Sequence, residues 1–327
     1  MRSLRTVMSA AALAFGIGTI VAPGAQAQAP LDPPVSLSVG YQKVGHLAPI
    51  VLIADDLREQ GVEIELVEFV RYADARTALL SGSLDIASVG PADLPISLAG
   101  GSTDVVGIMG VGSSPKYVIA RNGVELNSWD DLRGKRLAIA PGSAVWFQFA
   151  ATLIEAGVPY DEIETVNIQG GGANFNQALK AGEIDAIVTW EPFESIPIME
   201  GYGYAATNLE YSQSEAVGAE LGIFVARKDA VENKREAVVR FIAAYLEAQK
   251  ALAADRGRFA EALQQLTGLD AAVSQEIAGK IDLGSVVTVD QVERQAKAFF
   301  EFGVIPRDVS GEIAAYWDTT LLADAAQ

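Results

Sequence analysis

Two stretches of this chain, 100 residues apart, carry the same punctuation. Residues 73–90 (ADARTALLSGSLDIASVG) align without a gap on residues 173–190 (ANFNQALKAGEIDAIVTW), with identities at Ala73/Ala173, Ala78/Ala178, Leu79/Leu179, Gly82/Gly182 and Asp85/Asp185. Each reads as a short helix, a glycine supplying its left-handed cap, and an apolar run of strand length. The repetition predicts two lobes of similar build, each offering a strand end to a shared cleft. Asp85 and Asp185 would take equivalent places at a strand start, capping local N–H groups. The second copy runs on into Trp190-Glu191-Pro192-Phe193. Pro192 suits the first turn of a new helix. Trp190 then falls where a strand meets a helix start, the edge at which open α/β sheets bind ligands.

A length of 327 residues exceeds what one core usually covers, in keeping with two lobes. Residues 1–29 read as an export signal: Arg2 and Arg5, an apolar stretch broken by Gly16, Gly18 and Pro23, and an A-x-A exit ending at Ala27 or Ala29. No other stretch is apolar enough to span a bilayer. The chain has no cysteine, which excludes a lipid anchor at the cleavage site. A soluble periplasmic protein is the expectation. The net charge of −18 excludes binding to nucleic acid or anionic lipid by bulk attraction, so an anionic ligand would have to be held by local dipoles.

The order of elements predicts an α/β fold with parallel sheets and helices on both faces. Strands are read at 35–41, 62–69, 84–90 and 104–112, then at 116–121, 136–140, 164–169, 184–189 and 204–209, with helices between. Residues 222–228 (GIFVARK) resemble residues 117–121 (YVIAR), as two strands of a hinge would. From residue 231 the chain is almost all helix, with helices expected at 231–254, 256–267, 271–279, 289–303 and 308–324. These would pack back on the first lobe. The division is then lobe 1 over 34–115 and 222–327, and lobe 2 over 116–221.

The ordered set of motifs resembles periplasmic solute-binding proteins of ABC importers, in the group that takes aliphatic sulfonates, taurine, nitrate or thiamin pyrimidine precursors. It comprises Gly40-Tyr41-Gln42-Lys43, Gly82-x-x-Asp85, Asp131-Leu132-x-Gly134-Lys135-Arg136, Gly142-Ser143, Gly182-x-x-Asp185, Trp190-Glu191-Pro192-Phe193 and Phe300-x-x-Gly303-x-Ile305-Pro306. The resemblance covers essentially all of the mature chain. It implies the two-lobed periplasmic binding protein (type II) fold with two hinge strands, a small-molecule solute clasped between the lobes, a permease partner in the inner membrane, and a monomer with no cofactor. The same fold carries a sulfinate desulfinase and a pyrimidine synthase that rely on cysteines. With none here, and one histidine lacking a nucleophile partner, no enzyme is expected.

Four strand-to-helix turns should converge on the cleft: residues 41–46, 90–93, 141–143 and 190–192. Helix starts present unpaired N–H groups and favour negative charge. Gly142 and Ser143 are the best such case, Ser143 adding a hydroxyl or serving as a plain cap. Gln42 can donate to a ligand oxygen, Lys43 is a candidate to reach the cleft, and His46, the only histidine, shares their loop. Relatives that take sulfonates usually carry a small hydroxyl residue at the His46 position. Gly90 belongs to the second turn, and Ser114 lies near the first crossover. Trp146 and Trp190 are candidate walls, a pair able to hold a heteroaromatic ring. Glu191 is a candidate to grip an amine, or to favour the following helix start. A small organic anion, an aliphatic sulfonate or taurine-like molecule first, is the expected ligand, with nitrate or a pyrimidine as alternatives. A sensing subunit uncoupled from transport is the alternative of another class.

Overall fold

The computed structural model describes residues 29–284 and 287–326. The export signal read over 1–29 lies, but for Ala29, outside them. Among the described residues are ten strands: β1 (Val35–Tyr41), β2 (Val62–Glu68), β3 (Ile86–Val89), β4 (Val105–Gly110), β5 (Tyr117–Arg121), β6 (Arg136–Ala138), β7 (Glu164–Val166), β8 (Ala186–Ile187), β9 (Gly203–Glu210) and β10 (Ile223–Arg227). They form two five-stranded sheets, in the orders β2-β1-β3-β10-β4 and β7-β6-β8-β5-β9. Each sheet is the floor of one lobe.

Neither sheet is wholly parallel, contrary to the sequence reading. β10 runs antiparallel to β3 and β4, and β5 antiparallel to β8 and β9. The reason is the route of the chain. Both strands enter their sheet from the crossover between the lobes, the end at which the parallel strands finish. Residues 111–116 lead into β5 and residues 211–222 into β10. The two crossovers pair with each other: Val111 N–H donates to Gly222 O, Leu221 N–H to Gly112 O, and Tyr211 N–H to Lys116 O.

Alternation places core on both faces of each sheet. In β10, Phe224 and Ala226 join one cluster with Phe241 and Tyr245 of the long helix Arg235–Ala254, while Ile223 and Val225 join another with Phe299 and Trp317. In β5, Val118 and Ala120 face one cluster and Ile119 the other. The C-terminal helices Arg256–Thr267, Ala271–Lys280 and Val289–Glu301 lie close to the predicted spans. Between β1 and β2, where the sequence suggests one helix over 47–60, the chain forms a 3-10 segment, Gly45–Leu52, and then a short α-helix, Ala54–Glu59.

The twin units are equivalent in detail. Helices Tyr72–Leu80 and Gly172–Ala181 both stop at a left-handed glycine, with φ of +84° at Gly82 and +76° at Gly182. Ser83 N–H reaches back to Ala78 O and Glu183 N–H to Ala178 O. Asp85 Oδ2 then accepts Ser38 N–H at 2.8 Å, while Asp185 Oδ2 accepts Arg136 N–H at 3.0 Å, each tying a second strand of its own sheet. Lys234 completes the first site, and Arg136 with Arg121 the second. Neither carboxylate lines the cavity between the lobes. Removing either should leave a strand N–H without its acceptor. We expect Asp85→Ala and Asp185→Ala each to cost about 1–3 kcal/mol, read as a lowered thermal midpoint; an unchanged midpoint in both would show that the carboxylates hold nothing.

Candidate functional site

Between the lobes lies a cavity of about 360 Å³. Its first-lobe wall comes from the loop after β1 and from residues 68–73 with Asp93. Its second-lobe wall comes from residues 139–145, 167–172, Trp190 and Phe193, and Lys116, Glu220 and Leu221 of the crossovers close its base. Strand ends and helix starts of both lobes thus meet at one place, Trp190 of the second repeat unit among them, while Gly90 of the first stands off the wall.

Gln42, His46, Gly142, Ser143 and Trp190 line this cavity, and Lys43 stands at its rim in an ion pair with Glu68 at 2.9 Å. Ser143 is the N-cap of helix Ala144–Glu155, its Oγ accepting Trp146 N–H at 3.2 Å. That use consumes an oxygen lone pair and leaves the hydroxyl proton free to donate. Trp190 is half-buried, edge-on to Phe193 at 6.0 Å between ring centroids, and packs against core clusters of both lobes.

Four expected residues lie off the cavity wall. Gly90 spends its N–H on Asp93 Oδ2, at 2.8 Å. Ser114 is buried in the crossover, donating its N–H to Ala219 O and accepting from Lys116 Nζ. Trp146 follows Val145 by one helical step of roughly 100° and so turns away; its Nε1 donates to Tyr160 Oη at 2.7 Å. The tryptophan pair read as a ring clamp therefore does not face one cavity. Glu191 is buried and accepts both Ser195 N–H and Ser195 Oγ–H, with Lys280 Nζ at 3.4 Å. The next helix start has captured the carboxylate.

Two residues that do line the cavity differ in role from the sequence reading. Gln42 already donates Nε2–H to Ser88 O, leaving Oε1, an acceptor, without a partner. His46 is only 4 % exposed, and its Nε2 lies 2.5 Å from Tyr72 Oη. Burial, with a smaller contribution from the charge of Lys116, pushes its pKa down to about 3, so the imidazole is neutral and brings no positive charge to an anion.

The sequence reading placed the turn 90–93 at the cleft but did not single out Asp93, Phe193 or Lys116 as site residues. Extending the 100-residue register past Gly90/Trp190 pairs Asp93 with Phe193, and both line the cavity, so the signal was present. Asp93 is buried against Arg76; burial raises its carboxyl to about 6 despite the guanidinium and the Gly90 N–H. Lys116 is 0 % exposed and directly precedes the apolar strand β5, a position where a lysine is unusual. Its Nζ donates to Ser114 O at 3.0 Å and Ala219 O at 3.2 Å, one carbonyl from each crossover.

The model of the NMT1-like family matches residues 31–267. The chain belongs to this family. Among curated relatives of this NMT1-like protein is the taurine-binding periplasmic protein of Escherichia coli (strain K12), 26% identical over 223 residues, which are 66% of either chain. The solved alkanesulfonate-binding protein SsuA from Xanthomonas axonopodis pv. citri, bound to MOPS, superposes with a TM-score of 0.74 at 23% identity, covering 87% of this chain and 98% of that one. The periplasmic nitrate-binding protein NrtA from Synechocystis PCC 6803 has a TM-score of 0.72 at 16% identity, covering 92% and 90%. These likenesses establish the two-lobed periplasmic binding protein fold.

His46 offers a test of the site's electrostatics. Its folded pKa is depressed from 6.5 to about 3, so the stability tied to the neutral ring is present above pH 6.5 and lost as pH falls toward 3. Compared with His46→Asn, the wild-type protein should lose up to about 1.4 kcal/mol more per pH unit within that window. Parallel stability–pH profiles for the two proteins would show that the ring titrates normally.

Proposed function

We propose that this NMT1-like protein is the periplasmic substrate-binding subunit of an ABC importer, which captures a small organic anion between its lobes and presents the closed form to a membrane permease. The observation carrying this reading is the cavity between the lobes at a paired two-crossover hinge, with helix starts from the second lobe along its wall. Closure about such a hinge is the mechanism. An aliphatic sulfonate or a taurine-like molecule is the first choice, supported by the names of the taurine- and alkanesulfonate-binding relatives; nitrate follows from the third. The division into lobe 1 (34–115 and 222–327) and lobe 2 (116–221) is supported by the sheet to which each strand belongs. The protein works as a monomer in the periplasm, delivered by the signal over 1–29, and without catalysis, a reading supported by its lack of cysteine.

In this proposal Gly142 and Ser143 meet the acidic group of the ligand and Trp190 its apolar part. Gln42 and His46 belong to the opposite wall. A thermal-shift screen of sulfonates, nitrate and aminopyrimidines tests the ligand class: at about 100 times its dissociation constant a ligand adds roughly 2.7 kcal/mol. Silence from both kinds of anion would overturn the anion reading, and a response from the pyrimidine alone would replace it.

Two substitutions test the residues. Ser143→Ala should weaken anion binding by about 1–3 kcal/mol through loss of a charge-assisted hydrogen bond, beside a cap loss of about 1 kcal/mol in stability; calorimetry giving equal affinities would reduce Ser143 to a cap. Binding should also change the intrinsic fluorescence, an effect largely lost in Trp190→Phe. Trp190→Ala should weaken binding at least about tenfold, roughly 1.4 kcal/mol, with a nearly unchanged melting point. A steep fall in melting point, matching the ~3–5 kcal/mol cost of emptying a core site, would make Trp190 a core residue instead.

A further inference from the structure

We infer that Lys116 is the residue that reads the ligand's negative charge, its third N–H directed to the anionic group while the other two hold the hinge crossovers together. The inference rests on the anion-binding reading above and goes on to name the group that carries it. Of the cations lining the cavity, Lys43 is paired with Glu68 and Arg71 with Asp74, both at the exposed rim. Arg76, behind the wall, is paired with Asp93. Lys116 differs from all three. It is fully buried, and no carboxylate among the described residues comes within ion-pair distance of its Nζ. Its partners are the two crossover carbonyls, which use two of the three ammonium hydrogens.

A buried cation without an ion partner is costly, and groups so placed either shed their charge or await a counter-charge. The carboxylates that face Lys116 act on it only from beyond ion-pair distance. Glu194, from the turn before helix Ser195–Met199, is buried against Glu191, and burial followed by that like charge raises its pKa well above the usual carboxyl range. Glu220, on the second crossover, is raised by burial as well. Glu210, at the end of β9, acts on Lys116 only through space, and His46 across the cavity is neutral. Burial outweighs the attraction of Glu194, Glu220 and Glu210 and lowers Lys116 to about 8. The cavity therefore holds one desolvated ammonium whose charge a bound sulfonate would offset. Because its other hydrogens bind Ser114 O and Ala219 O, the ligand's charge is felt at the hinge itself.

The consequence is proton linkage. Pairing with an anion raises the Lys116 pKa above its free value, so affinity should be flat below about pH 8 and fall toward tenfold per pH unit above it. Calorimetry with taurine, ethanesulfonate and nitrate at pH 7 and pH 9, in buffers of differing ionisation enthalpy, should find proton uptake on binding at pH 9 alone. Lys116→Met, similar in volume, should keep a cooperative melt, weaken binding at least about tenfold at pH 7 and abolish the uptake. If an anion binds the wild type and Lys116→Met with equal affinity, the assignment of Lys116 fails while the anion reading stands. Should the variant not fold, a wild-type affinity that is level from pH 7 to 9 with no proton uptake overturns the assignment by itself. If none of the three anions binds the wild type, whether or not a methylated aminopyrimidine does, both readings fall.

Discussion

The backbone pairing of the two crossovers is the constraint on which the molecule depends. Residues 111–116 and 211–222 hydrogen-bond to each other between two sheets that are otherwise separate. Because each crossover feeds a strand back into the far sheet, β5 and β10 must run against their neighbours. The parallel strands then finish, and the helices after them begin, at the side facing the other lobe. Much of the cavity wall is therefore supplied by strand ends and helix starts. The same pairing explains why Lys116 is held so firmly. Its ammonium replaces part of a carbonyl hydration that a closely paired ribbon excludes.

Regular elements and their repetition could be read from the sequence because their signals are local. Glycine stops at Gly82 and Gly182, the aspartates three residues later, and the cap Ser143 rest on contacts within a few residues or on a strand already in register. The +100 register even reached the cavity-lining pair Asp93 and Phe193, had it been carried three residues further. Side-chain direction at the site was less accessible, for two physical reasons. One helical step separates Val145, which lines the cavity, from Trp146, which faces Tyr160, and no composition signal distinguishes them. Polar groups near a strand end also have competing partners: Ser195 and Lys280 took Glu191, while Ser88 O took the donor of Gln42. Lys116 was invisible because its importance depends on burial, a tertiary property that a lone lysine does not advertise.

The charge of the whole chain and the charge of the site pull in opposite directions. A net charge of −18 repels anions at long range, and salt screens that repulsion beyond about 8–10 Å. Inside the cavity the distances are shorter and the surroundings drier, so local terms decide. The neutral state of His46 matters here. Were it protonated beside Lys116, two like charges would share one desolvated space, and the lysine's charge contributes to keeping the ring neutral. The site thus concentrates its positive charge on one ammonium and leaves helix starts to supply the remaining donors. Such an arrangement suits a compact monoanion better than a dianion, which would demand a second cation.

Closure of the lobes also has a component that no ligand touches. Helix Ala144–Glu155 belongs to the second sheet's lobe through Val145, Phe149 and Leu153, yet Phe147 and Ala151 join the core cluster of the first lobe. Phe147 is fully buried, its ring 4.1 Å from that of Phe299 on helix Val289–Glu301. Rotating the lobes apart about the crossovers would expose this phenylalanine. Burying such a side chain is worth roughly 1.5–3 kcal/mol. The apolar contact therefore favours the closed arrangement before any ligand arrives. A ligand adds to that bias only by the amount to which it binds the closed arrangement better than the open one.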